Sequence, residues 1–274
     1  MSEYETINAE FLPLTVDSLA EQFAACGLAA GQTVLVHTRM SAMGWIAGGA
    51  VAVIQALLRV LTPDGTLMMP TFTADLTEPR HWKNPPVPEH WWPVIRQQMP
   101  AYDPAITPTY GMGRVAELFR HWPGVLRSAN PDASFAALGP NAEYLTANQD
   151  TLERLERLFD DGSPIGKLYE RDGYVFLLGV DHGNNTSLHL AEYRAAIPRT
   201  YTEQGVPMLV DGARQWVQYR MMDISDADFV QLGDAYEAAH GLARGRVGRA
   251  EVRFMRQRPL VDFAVKWLEA NRKP

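Results

Sequence analysis

TVLVHTRMSAMGWIAGGAVAVIQALLRVLTPDGTLMMPTFT, residues 33–73, decides the reading of the fold. Thr33-Val34-Leu35-Val36-His37 is a short apolar run rich in β-branched residues, which reads as a buried strand. A polar and glycine-containing loop follows at 38–48. Gly49 then opens an amphipathic helix to about residue 61, and Pro63 stops it. Residues 65–73 form a second apolar strand. Strand, loop, helix, strand is the order of a βαβ unit, so a largely parallel sheet with helices on its faces is expected.

Outward from that unit the chain keeps the same character. Thr15 and Asp17 can cap a helix over 16–26, with Gly27 as its stop. Residues 74–108 differ. Prolines stand at 79, 85, 86, 88, 93, 100, 104 and 108, which forbids a regular helix for most of the segment. Trp82, Trp91 and Trp92 want burial, so the segment reads as an ordered excursion near an active-site mouth. Helices are expected at 113–121 and 186–196. Residues 174–180 form a central apolar strand. Strands at 206–210 and 215–222 make a hairpin around Asp211-Gly212. Helices near 226–240 and 259–271 close the chain. No repeat or Gly/Ser linker divides it, so residues 1–274 read as one domain.

Composition narrows the function. The net charge of -7 disfavours nucleic acid and suits a cationic small molecule, although mild acidity also serves solubility. The single cysteine, Cys26, excludes an intrachain disulfide and a cysteine-based metal site. Glu3, Glu5 and Glu10 replace the basic start of a signal peptide, and the apolar run at 51–61 carries Gln55 and Arg59. A cytoplasmic protein with no membrane partner is expected. The seven histidines give no H-E-x-x-H and no i, i+4 pair, so no metal is expected. No G-x-S-x-G occurs either.

Two stretches can carry chemistry. His37 to Gly49 joins a strand to a helix N-terminus, where free N–H groups attract phosphate; a ligand loop and a plain tight connection both fit it. Gly179-Val180-Asp181-His182-Gly183-Asn184-Asn185 ends the central strand in a polar turn. The next helix sets His189 and Glu192 at i, i+3 on one face. A histidine held in one tautomer by a carboxylate can act as a general base, and it can equally be a satisfied structural pair. The arginines at 244, 246, 249, 253, 256 and 258 can hold a phosphate, or simply pair with the abundant carboxylates.

These residues carry a resemblance. Leu35-Val36-His37-Thr38 through Gly48-Gly49, Met69-Pro70-Thr71-Phe72-Thr73, Arg127-Ser128 to Gly139, Asp161-Gly162-Ser163-Pro164-Ile165-Gly166-Lys167-Leu168-Tyr169 and Thr186-Ser187-Leu188-His189-Leu190-Ala191-Glu192 are collinear motifs. With them the chain resembles the aminoglycoside 3-N-acetyltransferase family over nearly its whole length. The resemblance implies a three-layer α/β/α sandwich with a mostly parallel sheet and a small C-terminal hairpin/helix subdomain. It implies acetyl-CoA as co-substrate, bound by His37, Thr38, Ser41, Gly44, Ile46, Gly48, Gly49 and Thr71. It implies His189 as catalytic base, oriented by Glu192 or by Asp181. An aminoglycoside would be held by Asp75, Asp181, Asn185 and Glu192 and acetylated directly, in a ternary complex, at the 3-amino group of its deoxystreptamine ring, which confers resistance. Thr71 or Thr186 could serve the thioester oxygen. The chain departs from the family at Arg39 and Met40, where serine and leucine are usual, and at Asn130, where a cleft-lining histidine is usual. Another amine substrate, and a monomer or a homodimer, stay open.

Overall fold

The computed structural model describes residues 12–272, so the expectation for the acidic N-terminal residues lies outside the described residues. Thr15 opens α1 (Val16–Ala25) with a capping box: its hydroxyl accepts from the Ser18 N–H at 3.2 Å, and the Ser18 hydroxyl accepts from the Thr15 N–H at 2.9 Å. β1 (Thr33–Thr38) leads through the 38–48 loop to α2 (Gly49–Leu61) and β2 (Thr66–Pro70). Gly48 and Gly49 have φ of 88° and 55°, the left-handed region open to glycine, and this bend turns the chain into α2.

The proline-rich segment buries its tryptophans less than expected: Trp82 and Trp92 are half-buried and Trp91 is 49% exposed. It is mostly single 3-10 turns, with one short helix, α3 (Trp92–Gln98), that tolerates Pro93 in its first turn. α4 (Gly113–Phe119), β3 (Leu126–Arg127), β4 (Phe135–Leu138), α5 (Ala142–Thr146), α6 (Leu152–Glu156) and α7 (Pro164–Glu170) follow. Then come β5 (Tyr174–Leu178), α8 (Ser187–Arg194), β6 (Tyr201–Val210), β7 (Ala213–Met222), α9 (Phe229–His240), β8 (Gly245–Val247), β9 (Ala250–Arg256) and α10 (Gln257–Asn271).

The seven-stranded sheet has the order β3-β4-β2-β1-β5-β9-β8. Its side chains alternate between two cores. Val34 and Val36 of β1, Leu67 and Met69 of β2, and Phe176 and Leu178 of β5 pack under α1, α2 and α4. Leu35, Met68, Val175 and Leu177 face α5, α7, α8 and α10. This is the expected three-layer sandwich. The sheet is mixed, however: β1 pairs in parallel with β2 and with β5, and every other pairing is antiparallel. A mostly parallel sheet was inferred from the 33–73 unit, and that order holds only for the three central strands. The expected C-terminal subdomain is corrected too. β6 and β7 pair as a separate hairpin whose Asp211 and Gly212 both have positive φ, at 51° and 76°, as a type I′ turn requires. After it the chain returns to the main sheet through β9, so the hairpin is an insertion. Among the described residues no helix is long and apolar enough to cross a membrane.

Candidate active site

β1 has β2 on one side and β5 on the other, so sheet growth reverses at β1, and a crevice opens beyond the carboxyl ends of all three strands. A cavity of about 250 Å3 lies there. His37 and Thr38 end β1 in its wall, Pro70 and Phe72 leave β2, and Asn185, Thr186 and His189 follow β5; Phe229 of α9 closes one side.

His189 has the geometry of a base. One helical turn brings Glu192 beneath it, and His189 Nδ1 donates to Glu192 Oε2 at 2.5 Å. The ring stacks on Phe159 at 5.0 Å and leans on Phe229 at 4.9 Å, so it cannot swing. Glu192 is 1% exposed, and its other oxygen accepts from the Ser225 N–H at 3.0 Å and from Arg272, which also binds Asp228. With Nδ1–H engaged, the lone pair sits on Nε2, the nitrogen with no hydrogen-bond partner among the described residues. Glu192 was also expected to touch substrate. Both of its oxygens are taken and the carboxylate is sealed, so it orients the histidine and reaches no ligand.

His37 is 6% exposed, and its Nε2 and the neighbouring Thr38 hydroxyl are both buried with no hydrogen-bond partner among the described residues. Burial, and secondarily the charge of a protonated His189, draw the His37 pKa from 6.5 down to about 3. The other buried histidine behaves differently. His182 donates from Nε2 to Glu237 at 2.9 Å and accepts at Nδ1 from Asn185 at 3.3 Å. Glu237 also receives Arg253 at 2.8 Å and Arg244 at 2.7 Å. His182 therefore braces the turn after β5. Gly233 lets α9 pack there, since a Cβ at that position would stand 1.9 Å from His182 Cγ.

Two further spaces adjoin the cavity. One, of about 390 Å3, shares Thr38, Gly111, Met112, Val180 and Asn184 with it and adds Arg39, Ser41 and Arg114. Arg39 also lines a depression with Arg249 and Arg253, where Asp181 and Glu251 are the acidic members. The other space, of about 540 Å3, is walled by the proline-rich segment with Asp75, Trp82, Tyr110, Asp132 and Gln204. Tyr110 lines this cleft and the next residue, Gly111, lines the His189 cavity. Burial raises the pKa of both Asp75 and Asp132. Asp132 accepts from the Tyr219 hydroxyl of β7 at 2.9 Å.

The model of the aminoglycoside 3-N-acetyltransferase family matches residues 35–269. The chain belongs to this family. The SPbeta prophage-derived aminoglycoside N(3')-acetyltransferase-like protein YokD of Bacillus subtilis (strain 168) is 44% identical over 97% of this chain and 96% of that protein. The YokD crystal structure covers 98% of both chains with a TM-score of 0.94 at 43% identity. Aminoglycoside N(3)-acetyltransferase IX of Micromonospora chalcea is 36% identical over 100% of both. The structure of AAC-IIIb binary with CoASH has a TM-score of 0.84 at 30% identity and covers 96% of this chain and 98% of that one.

Against this family background several expected contacts fall elsewhere. Ile46 is in the core and bridges to Leu14, and Gly44, Gly48 and Gly49 line neither the His189 cavity nor its Ser41 neighbour. Thr71 is fully buried. Its hydroxyl meets Ser134 Oγ at 3.1 Å and accepts from Arg127 Nε at 3.2 Å, so it ties β2 to the β4 turn and is shut off from a ligand. Asp181 is exposed, caps the Gly183 N–H at 3.0 Å, and lies in the arginine-lined depression away from His189. Asn185 does line the cavity. Asn130 is buried too, where a cleft residue was expected. Its Oδ1 accepts from the N–H groups of Asp132 at 3.0 Å and Ala133 at 2.9 Å, which fixes the turn presenting Asp132. The arginine cluster is chiefly paired: Arg244 with Glu237, Asp234 and Glu251, Arg253 with Glu237, and Arg256 with Asp172. Sequence reasoning passed over Asp132, Arg39 as a cavity residue, and Arg272. Only Arg39 left a signal, as a cation where the family has serine.

Proposed function

We propose that this chain transfers the acetyl group of acetyl-CoA to the 3-amino group of a deoxystreptamine aminoglycoside, directly and with His189 as general base. The observation that carries the proposal is the His189–Glu192 pair, whose histidine lines a cavity that shares five lining residues with one space and meets another through the adjacent Tyr110 and Gly111. On the Ser41 side, Arg39 and the unpartnered Thr38 hydroxyl suit a phosphate-bearing, amide-rich arm. On the Asp132 side, two carboxylates against one lysine, Lys83, among aromatic rings suit a cationic sugar. The CoASH bound to AAC-IIIb supports the first assignment, and the name of the Micromonospora relative supports the second.

The chemistry follows from the geometry. An ammonium has no lone pair and cannot attack a thioester. His189 Nε2 takes the proton from the amine as the C–N bond forms, while Glu192 stabilises the resulting imidazolium through Nδ1. The same imidazolium then returns the proton to the departing thiolate. The one cysteine, Cys26, bonds to the Arg246 carbonyl and lines none of the three spaces, so no thiol is placed to hold an acetyl group in transit. Acetylation leaves the drug a neutral amide, which loses charge-assisted hydrogen bonds contributing about 1.5–3 kcal/mol each.

The test is NMR of the product formed from gentamicin and acetyl-CoA. A new acetamide on the 3-nitrogen is expected. Acetylation at another nitrogen would refute the regiochemistry. Turnover with other amines but no aminoglycoside would refute the substrate and leave the acyl transfer standing.

A further inference from the structure

We propose that His37 is a second catalytic residue, whose neutral imidazole donates an N–H to the thioester carbonyl oxygen and holds the negative charge that develops there. The proposal rests on the acyl-transfer reading above and adds the group that the reaction needs opposite its base.

His37 occupies the last turn of the central strand, where β1 runs into the cavity that His189 also lines. It is buried, and its Nε2 has no hydrogen-bond partner among the described residues. Buried polar groups are nearly always paired, and an orphan at a reaction centre calls for a reason. His182, in the turn after β5, has both nitrogens matched, so this fold does satisfy a histidine that only supports structure. The partner of His37 is therefore sought in what enters the cavity.

The chemistry of the ring fits the part. A neutral imidazole always carries one N–H, and the depressed pKa of about 3 keeps His37 neutral wherever the enzyme works. It cannot compete with His189 for the amine proton, because a proton on His37 is disfavoured by burial and by His189 itself. A fixed, desolvated donor bonds weakly to a ground-state carbonyl and more strongly to an oxyanion, and that difference is what accelerates the step. Of the two hydroxyls that the sequence offered for this duty, Thr71 is committed to Ser134 and Arg127, while Thr186 lines the same cavity as His37 and can add a second donor.

The step balances. The amine nitrogen pair forms the C–N bond, the carbonyl π pair moves to oxygen under the His37 N–H, and His189 takes one proton. When the C=O bond reforms, the C–S bond breaks and the sulfur leaves with the electron pair, to be protonated by His189. His37 keeps its proton throughout.

The experiment has two readouts. The first is infrared difference spectroscopy of 13C-carbonyl acetyl-CoA bound to the enzyme with no amine present. The wild type is expected to shift the carbonyl band to lower frequency, and His37→Met, similar in bulk but with no donor, is expected to abolish the shift. An unshifted band in the wild type overturns the proposal whether or not any variant folds. The second is kinetic. His37→Met should lower kcat about 10²–10³-fold, the loss typical of one oxyanion donor, with little change in either KM. His37→Gln retains an N–H and should recover at least about tenfold of that loss. A rise in the acetyl-CoA KM at unchanged kcat would make His37 a binding residue and refute the proposal. Because the infrared arm needs no amine, a wild-type band shift without acetylation of any aminoglycoside would sink the substrate assignment while supporting His37.

Discussion

Replacing Glu192 by glutamine should cost more than a lost charge, and the structure says why. Glu192 Oε1 faces two donors, the Ser225 N–H and Arg272. An amide in its place must turn its oxygen toward them. Its NH2 then faces His189 Nδ1, where the carboxylate now accepts at 2.5 Å. Two donors cannot share that contact, so Nδ1 must give up its hydrogen and Nε2 must take it. The lone pair that should accept the amine proton disappears. The lost charge-assisted hydrogen bond to the imidazolium contributes about 1.5–3 kcal/mol, or roughly 10- to 150-fold in rate. Forcing the wrong tautomer adds to this, and the comparable change in serine proteases costs about 10⁴-fold. Glu192→Gln should therefore lower kcat by about 10²–10⁴-fold. Arg272 keeps Asp228, so the fold should survive. The assay is release of CoA thiol at saturating acetyl-CoA and amine, with CoA binding measured by calorimetry as the control. Turnover within about threefold of wild type would refute the tautomer argument.

Three other outcomes follow from the same geometry. Asp132→Asn removes a carboxylate whose pKa burial has raised, so it should stabilise the ligand-free protein by about 1 kcal/mol at neutral pH while raising the KM for the amine about tenfold or more; unchanged amine KM would remove Asp132 from the substrate cleft. Arg39→Ala should raise the KM for acetyl-CoA several-fold and leave the amine KM alone, and the effect should shrink as salt is added; equal changes in both KM values would count against a phosphate contact. Glu117 accepts from Arg120 at 2.6 Å and from the Thr109 N–H at 2.7 Å, which, against the opposing effect of burial, hold its pKa at about 2. A depressed carboxylate pKa stabilises the fold above the unfolded value of 4.5, and that stability fades as pH falls from there toward 2; Glu117→Gln should accordingly lower Tm at pH 7 and flatten its dependence across that acid window, and parallel Tm curves would contradict the linkage.

The legible parts of this molecule were local. The apolar run of β1, the periodicity of α2, the Asp211-Gly212 turn and the i, i+3 spacing of His189 and Glu192 each depend on neighbours in sequence, and each stands as read. The mixed sheet was not legible because β9 carries Glu251, Arg253 and Arg256, charges that a strand inside a sheet rarely holds. In the fold Arg253 is matched by Glu237 and by the Val180 carbonyl at 3.2 Å, so the strand can lie inside the sheet. Thr71 was misread for a similar reason: the groups that claim its hydroxyl, Arg127 and Ser134, lie 56 and 63 positions along the chain. Asp132 gave no pattern at all, since its importance comes from a turn held by Asn130 and from a hydroxyl on β7.

The β6–β7 hairpin divides labour in a way that bears on how this family diversifies. It lends Gln204 to the cleft proposed for the sugar and Tyr219 to Asp132, and it contributes nothing to the walls around His189 or Ser41. Mutations there can retune which antibiotic is recognised while the acyl-transfer apparatus is untouched. Val206, Met208, Tyr219 and Met221 of the same hairpin pack into the core with Leu188 and Phe229, so its cleft side is free to vary only where that packing stays intact.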